Sequence, residues 1–236
     1  MKKIVLYLSI VGLLVAVTSC DEKLENWYSA TRDYDGRFVV AFNCPENLLK
    51  SVIVEDGNEI YLYNTAENKA NDIWLDDVFG VLPLKSNFKL NGTSGGFSGT
   101  GTVDNIKSKL FILNDEGKYI EFSAANRSDF PVAIAAGQVC NGIQEYARAT
   151  LTEGKISPGG ATSVGGNPTD GILLKLTLHT DNVKFVSVEV PEEEWENPLV
   201  REFEWKLKDG SNSPDASKDE HWTIKGYRYT GYPEDL

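Results

Sequence analysis

The chain has 236 residues, 41% of them hydrophobic and 25% charged, with a formal net charge of −12. That apolar share excludes a wholly disordered chain and suffices for a buried core. The acidic balance argues against nucleic acid and anionic headgroups as partners of the folded part, because both carry the same sign of charge.

Lys2 and Lys3 precede an apolar stretch from Ile4 to Val17. This is shorter than the roughly 20 residues a spanning helix needs, and it ends at Val17-Thr18-Ser19-Cys20. The layout is that of a lipoprotein export signal, in which residues 1–19 are removed and Cys20 carries the lipid. A diacylglycerol thioether plus an N-terminal acyl chain would give more than one lipid chain, as stable anchoring requires. An ordinary secretory peptide with an incidental cysteine is the alternative. Asp21, Glu22, Lys23 and Glu25 open a charged tether over 20–33. That run resembles the tags that send some Gram-negative lipoproteins to the cell surface, and it equally suits a plain solvated linker. The expected location is the outer membrane or cell surface, with the membrane reached through the anchor. Removing the first 19 residues, Lys2 and Lys3 among them, leaves 217 residues with a side-chain charge of −14. Residues 34–236 are expected to form a single domain.

Beyond the tether, Gly, Pro, Asn or Asp punctuates short runs rich in Val, Ile, Phe, Tyr and Trp. This spacing predicts an all-β sandwich or barrel. Phe38, Val40 and Phe42 share one face of a first strand. Strands follow at 60–64, 73–78, 87–91, 97–103, 109–114 and 119–124, with Asn114 to Gly117 as a hairpin turn. Pro131 to Tyr146 is the segment able to hold a short helix. Further strands are expected at 147–155, around Ile172, Leu174, Leu176 and Leu178, and at 183–188. Phe203, Trp205 and Leu207 alternate with Glu202, Glu204, Lys206 and Lys208, which marks an antiparallel sheet with one wet face. The last strand puts Trp222, Ile224, Gly226 and Arg228 on one side. Loops are expected over 66–71, 157–171 and 209–219. So many strands avoid exposed edges best by closing, which favours an antiparallel barrel of about eight strands.

The residues dictate no reaction. Gly92-Thr93-Ser94-Gly95-Gly96 matches the Gly-x-Ser-x-Gly elbow of serine hydrolases, but a strand-like glycine-rich run follows where the elbow needs a helix. Ser94 is therefore a weak nucleophile candidate, and His179 or His221 would have to serve as its base. With two histidines and no Cys-x-x-Cys, neither a metal nor another cofactor is implied. Cys44 and Cys140 carry no pairing signal. Aromatic side chains are the better guide: Phe38, Trp74, Trp205 and Trp222, with Arg228, are the candidates for a barrel interior that holds a ligand. Trp74, between Ile73 and Leu75, is expected to be buried on both faces. A glycine, a gap and an aromatic in Gly36-Arg37-Phe38, with Arg228 on the closing strand, resemble the calycin arrangement. There the arginine packs over the ring and closes one barrel end.

Trp222-Thr223-Ile224-Lys225-Gly226-Tyr227-Arg228-Tyr229-Thr230-Gly231-Tyr232-Pro233 resembles the ending of the "lipid-binding putative hydrolase" family of bacterial surface lipoproteins. Tyr34 to Val40 resembles its opening strand, and Leu62 to Ala66 with Asp72 to Asp77 its middle signature. Tyr229 stands where a second arginine is common. The resemblance implies a calycin/lipocalin-like β-barrel and lipid binding. It offers no catalytic motif to carry over. The expected function is a lipid-anchored envelope protein that binds a small apolar or amphipathic ligand, with no chemistry of its own. The alternatives are a lipid or ester hydrolase and an accessory glycan-binding lipoprotein of an outer-membrane uptake system.

Overall fold

The structure is a computed structural model that describes residues 28–52, 57–78, 80–82, 84–90, 96–101, 108–197 and 199–235. Cys20 and Ser94 lie outside these residues. Among the described residues twelve strands form one antiparallel sheet: β1 (Gly36–Asn43), β2 (Glu59–Asn64), β3 (Asp72–Asp76), β4 (Lys85–Lys89), β5 (Gly96–Gly101), β6 (Lys109–Leu113), β7 (Tyr119–Glu121), β8 (Val139–Thr162), β9 (Pro168–Glu189), β10 (Phe203–Leu207), β11 (Ser213–Pro214) and β12 (Glu220–Arg228). Their order is β4-β3-β2-β1-β12-β9-β8-β6-β7, with β5 against β8 and with β10 and β11 against β9. The sheet is strongly curled into a half-barrel. Its ends approach each other where Gly99 of β5 lies against the backbone of Lys89 in β4, leaving no room for a Cβ. Only glycine permits that close approach.

The period-two pattern sorts the side chains as expected. Phe38, Val40, Phe42, Ile60, Leu62, Ile73, Leu75, Phe88, Leu174, Leu176, Trp222 and Ile224 pack together inside the curl. A second, smaller cluster forms around Ile112, Val183 and Phe185, with Leu110, Ile120, Phe122, Phe130, Cys140, Trp205 and Leu207 against it. The long β8–β9 hairpin serves both. Along β9 the buried positions are even-numbered from Ile172 to Thr180 and odd-numbered from Asp181 to Ser187. In β8 the register slips between Gln144 and Arg148, and Tyr146 within that bulge has φ 54°. A bulge increases local twist and re-aims side chains, and here it divides one ribbon between two cores.

Two sequence expectations are corrected. Residues 157–171 are mostly strand: Ser157 pairs with Gly171 and Ala161 with Thr169, and the glycines mark a bulge between them. Val139 to Tyr146 is strand as well, and the short helical turn lies earlier, at Ala124–Asp129. Ala133, Ala135 and Ala136 lie in the irregular stretch just before β8, which turns at Gly137 with φ 83°. Among the described residues no helix is long and apolar enough to cross a membrane.

Candidate functional site

The two ends of β12 carry opposite charges. At one end Arg228 lies across from Phe38 in the β1–β12 ladder, with its guanidinium carbon 4.9 Å from the ring centre. Its Nε donates to Asp170 at 3.1 Å, and its terminal nitrogens donate to the carbonyls of Asp35 and Asp33. At the other end Glu220 accepts from Asn47 Nδ2 at 2.9 Å, Tyr146 hydroxyl at 3.0 Å and Trp222 Nε1 at 3.1 Å. Burial first, and the Glu220 carboxylate second, push the Tyr146 hydroxyl well above its ordinary range. Tyr229 points outward, where the Arg37 guanidinium sits 4.3 Å from its ring.

Between these ends the described interior side chains are closely packed. Phe38, Ile60, Ile73, Leu75, Leu84, Phe88, Leu174 and Ile224 are each 0% exposed, and Trp222 is 1%. No water-sized void touches a side chain with no accessible surface. Phe38 and Trp222 thus lie in the core as packing groups. Trp74 is not buried on both faces: Ile73 and Leu75 point in and it points out, half-buried beside Tyr63 and Asn87. Strand alternation forbids three successive side chains from sharing one core.

Trp205 lies apart from the other aromatic candidates. It lines an open groove of about 610 Å3 beside the second cluster. β10 brings Phe203 and Trp205 to one wall, and the chain around the Ala124–Asp129 turn brings Phe122, Phe130 and Val132 to the other. Trp205 Nε1 donates to the carbonyl of Pro131 at 2.7 Å, tying the walls together. Phe122 stacks on Phe130 with centroids 5.1 Å apart and inclines to Phe185 at 4.5 Å. Val132 and Ile134, on this stretch, are 75% and 73% exposed. Glu194, Glu196, Glu202 and Glu204 supply carboxylates to the groove lining against one guanidinium, Arg127, which meets Glu204 at 3.2 Å. A concave groove of this volume, with aromatic side chains among mainly polar ones, is the candidate ligand site. The alternation of Phe203 and Trp205 was visible in the sequence. Phe122 and Phe130 carried no signal, because the turn that stacks them is set by the fold.

The two histidines part company. His221 pairs with Glu46 at 3.0 Å on the exposed surface. His179 is held by Asp219 and Thr150.

The described residues form a curled antiparallel half-barrel with an open, partly aromatic groove on its second cluster. The family comparison is more particular. The model of the family described as "lipid-binding putative hydrolase" matches residues 23–233, and the chain belongs to that family. A search of curated proteins finds no match.

Proposed function

We propose that this protein binds a single-chain amphipathic lipid in the groove lined by Phe203, Trp205, Phe122 and Phe130, while anchored to the envelope through Cys20. The observation that carries the reading is the open groove with aromatic side chains beside closely packed described interior residues, in a chain whose family is described as lipid-binding. The tail would lie on the rings, since burying apolar surface yields about 25 cal/mol per Å2. The glutamates of the lining disfavour an anionic headgroup and suit a neutral or cationic one. The test is to titrate the protein with a fluorescent long-chain alkylamine and with the matching fatty acid. The amine is expected to bind more tightly, and Phe203→Ala to weaken it about tenfold or more, for about 1.4 kcal/mol or more of lost contact. Equal binding by wild type and Phe203→Ala would remove the groove from the reading.

The anchor and the outer-membrane or surface location rest on the sequence: Val17-Thr18-Ser19-Cys20 closing a short apolar stretch. On this reading 1–19 is the signal, 20–33 the lipidated tether and 34–236 the binding domain, and the acidic surface keeps nucleic acid away. Labelled palmitate incorporated by the wild type and lost in Cys20→Ser is the expected outcome.

A further inference from the structure

Away from the groove, Thr150 of β8, His179 of β9 and Asp219, the residue just before β12, are joined in a line. His179 Nδ1 lies 2.7 Å from Asp219 Oδ2, and His179 Nε2 lies 2.8 Å from Thr150 Oγ1. The other oxygen of Asp219 accepts the backbone N–H of Thr180 at 3.3 Å. A carboxylate has only acceptors to offer, so the proton of the neutral imidazole sits on Nδ1. Nε2 is then an acceptor, and the Thr150 hydroxyl must be the donor. The hydroxyl is thereby hydrogen-bonded to a base that a third group orients, which is the arrangement of an activated nucleophile. Thr150 stands opposite Thr177 in the ladder, yet its hydroxyl turns diagonally to the imidazole. Asp219 is 9% exposed and His179 18%, so the orienting end is sheltered. Arg148 is paired across the ladder with His179. It lies two residues before Thr150, on the same face of β8, and is ion-paired with Asp181.

We propose that Thr150, His179 and Asp219 form a site that hydrolyses small carboxylic esters. Thr150 Oγ adds to the ester carbonyl carbon as its proton passes to His179 Nε2. The displaced electron pair gathers on the carbonyl oxygen, on the face that carries the Arg148 guanidinium. When the carbonyl re-forms, the bond to the alcohol oxygen breaks and the alcohol leaves with the proton from Nε2. Water then adds to the acyl-Thr150 ester, giving its proton to Nε2. Collapse returns a proton to Thr150 and frees the carboxylic acid. Thr150 and His179 are the catalytic residues. Asp219 is a positioning residue acting through the imidazole. This site stands apart from the groove and does not rest on lipid binding there.

The test uses the full chain with p-nitrophenyl acetate and butyrate. The wild type is expected to turn both over above the buffer rate. Thr150→Val and His179→Gln are expected to lower kcat/KM by about 100-fold or more. Thr150→Ser should retain the rate, and Asp219→Asn should lower kcat while KM holds. Trapped acyl-enzyme should carry its label on the peptide containing Thr150. If His179→Gln does not fold, the Thr150→Val and Thr150→Ser pair decides. A wild type no faster than buffer, a Thr150→Val variant as fast as wild type, or a label on another residue would each overturn the assignment and leave the groove untouched.

Discussion

Gly36 and Arg228 fit each other through what Gly36 lacks. A Cβ on Gly36 would stand 2.5 Å from Arg228 Nη1 and 3.4 Å from the ring of Phe38, so the absent methyl is the space in which the guanidinium lies over the ring. Charge, ring and gap come from the two ends of the described chain and are brought together by the β1–β12 ladder.

Removing either member should therefore have the same consequence. Arg228→Ala forfeits a partly desolvated cation–ring contact of about 2 kcal/mol, a fall in melting temperature of about 4–8 °C for a domain of this size. Gly36→Ala should fall by a similar amount, and the double variant by less than the sum, because both act on one contact. Binding of the alkylamine in the groove should be unchanged in all three. Additive losses in a thermal melt would show that the two residues act separately.

The stability of the fold should decline in acid. Hydrogen bonds from its own backbone amide, then from the Cys44 thiol, hold the Glu46 carboxyl down at about 2. The Ser217 hydroxyl and the Lys218 ammonium do the same for Asp215, also to about 2. A carboxyl depressed in the folded state binds fewer protons than the unfolded chain, so stability rises with pH over the interval between the two values. The contribution is complete above about pH 4.5 and is lost as pH falls through about 2. Melting curves from pH 5 to pH 2 should fall more steeply for wild type than for Glu46→Gln/Asp215→Asn.

Cys44 and Cys140 belong to different cores and are both free thiols. Burial pushes the Cys44 thiol up to about 11, and it raises that of Cys140 as well. The thiolate is the reactive form, so iodoacetamide at pH 7.5 should leave Cys44 unmodified in the folded protein. In urea without reductant it should alkylate both, as read by peptide mass spectrometry. Linked Cys44 and Cys140 peptides would contradict this.

Much of the barrel was legible because alternation is a local property. Phe38, Val40 and Phe42 face inward together, as do Leu174, Leu176, Trp222 and Ile224, and the Asn114–Gly117 turn forms with Gly117 donating to Asn114 at 3.0 Å. The pairing of Phe38 with Arg228 was legible too, since each end of the motif is marked in its own strand. The bulge at Tyr146 was not, because it answers to the pairing of β8 with β9 rather than to any nearby residue. That bulge accompanies the division of one hairpin between two cores, and so the placement of Trp205 in a groove instead of the interior was hidden as well. Thr150, His179 and Asp219 meet only through the pairing of β8 with β9 and the turn before β12; their spacing along the chain carries no pattern.

The central claim is that an amphipathic lipid lies in the groove and not inside the barrel. A long-chain alkylamine bearing a photoreactive diazirine in its tail, bound to the protein, irradiated and mapped by peptide mass spectrometry, tests it directly. The account predicts labels on residues 122–133 and 190–205. Labels on Phe38 to Phe42, on Ile172 to Leu178 or on Trp222 to Ile224 would contradict it.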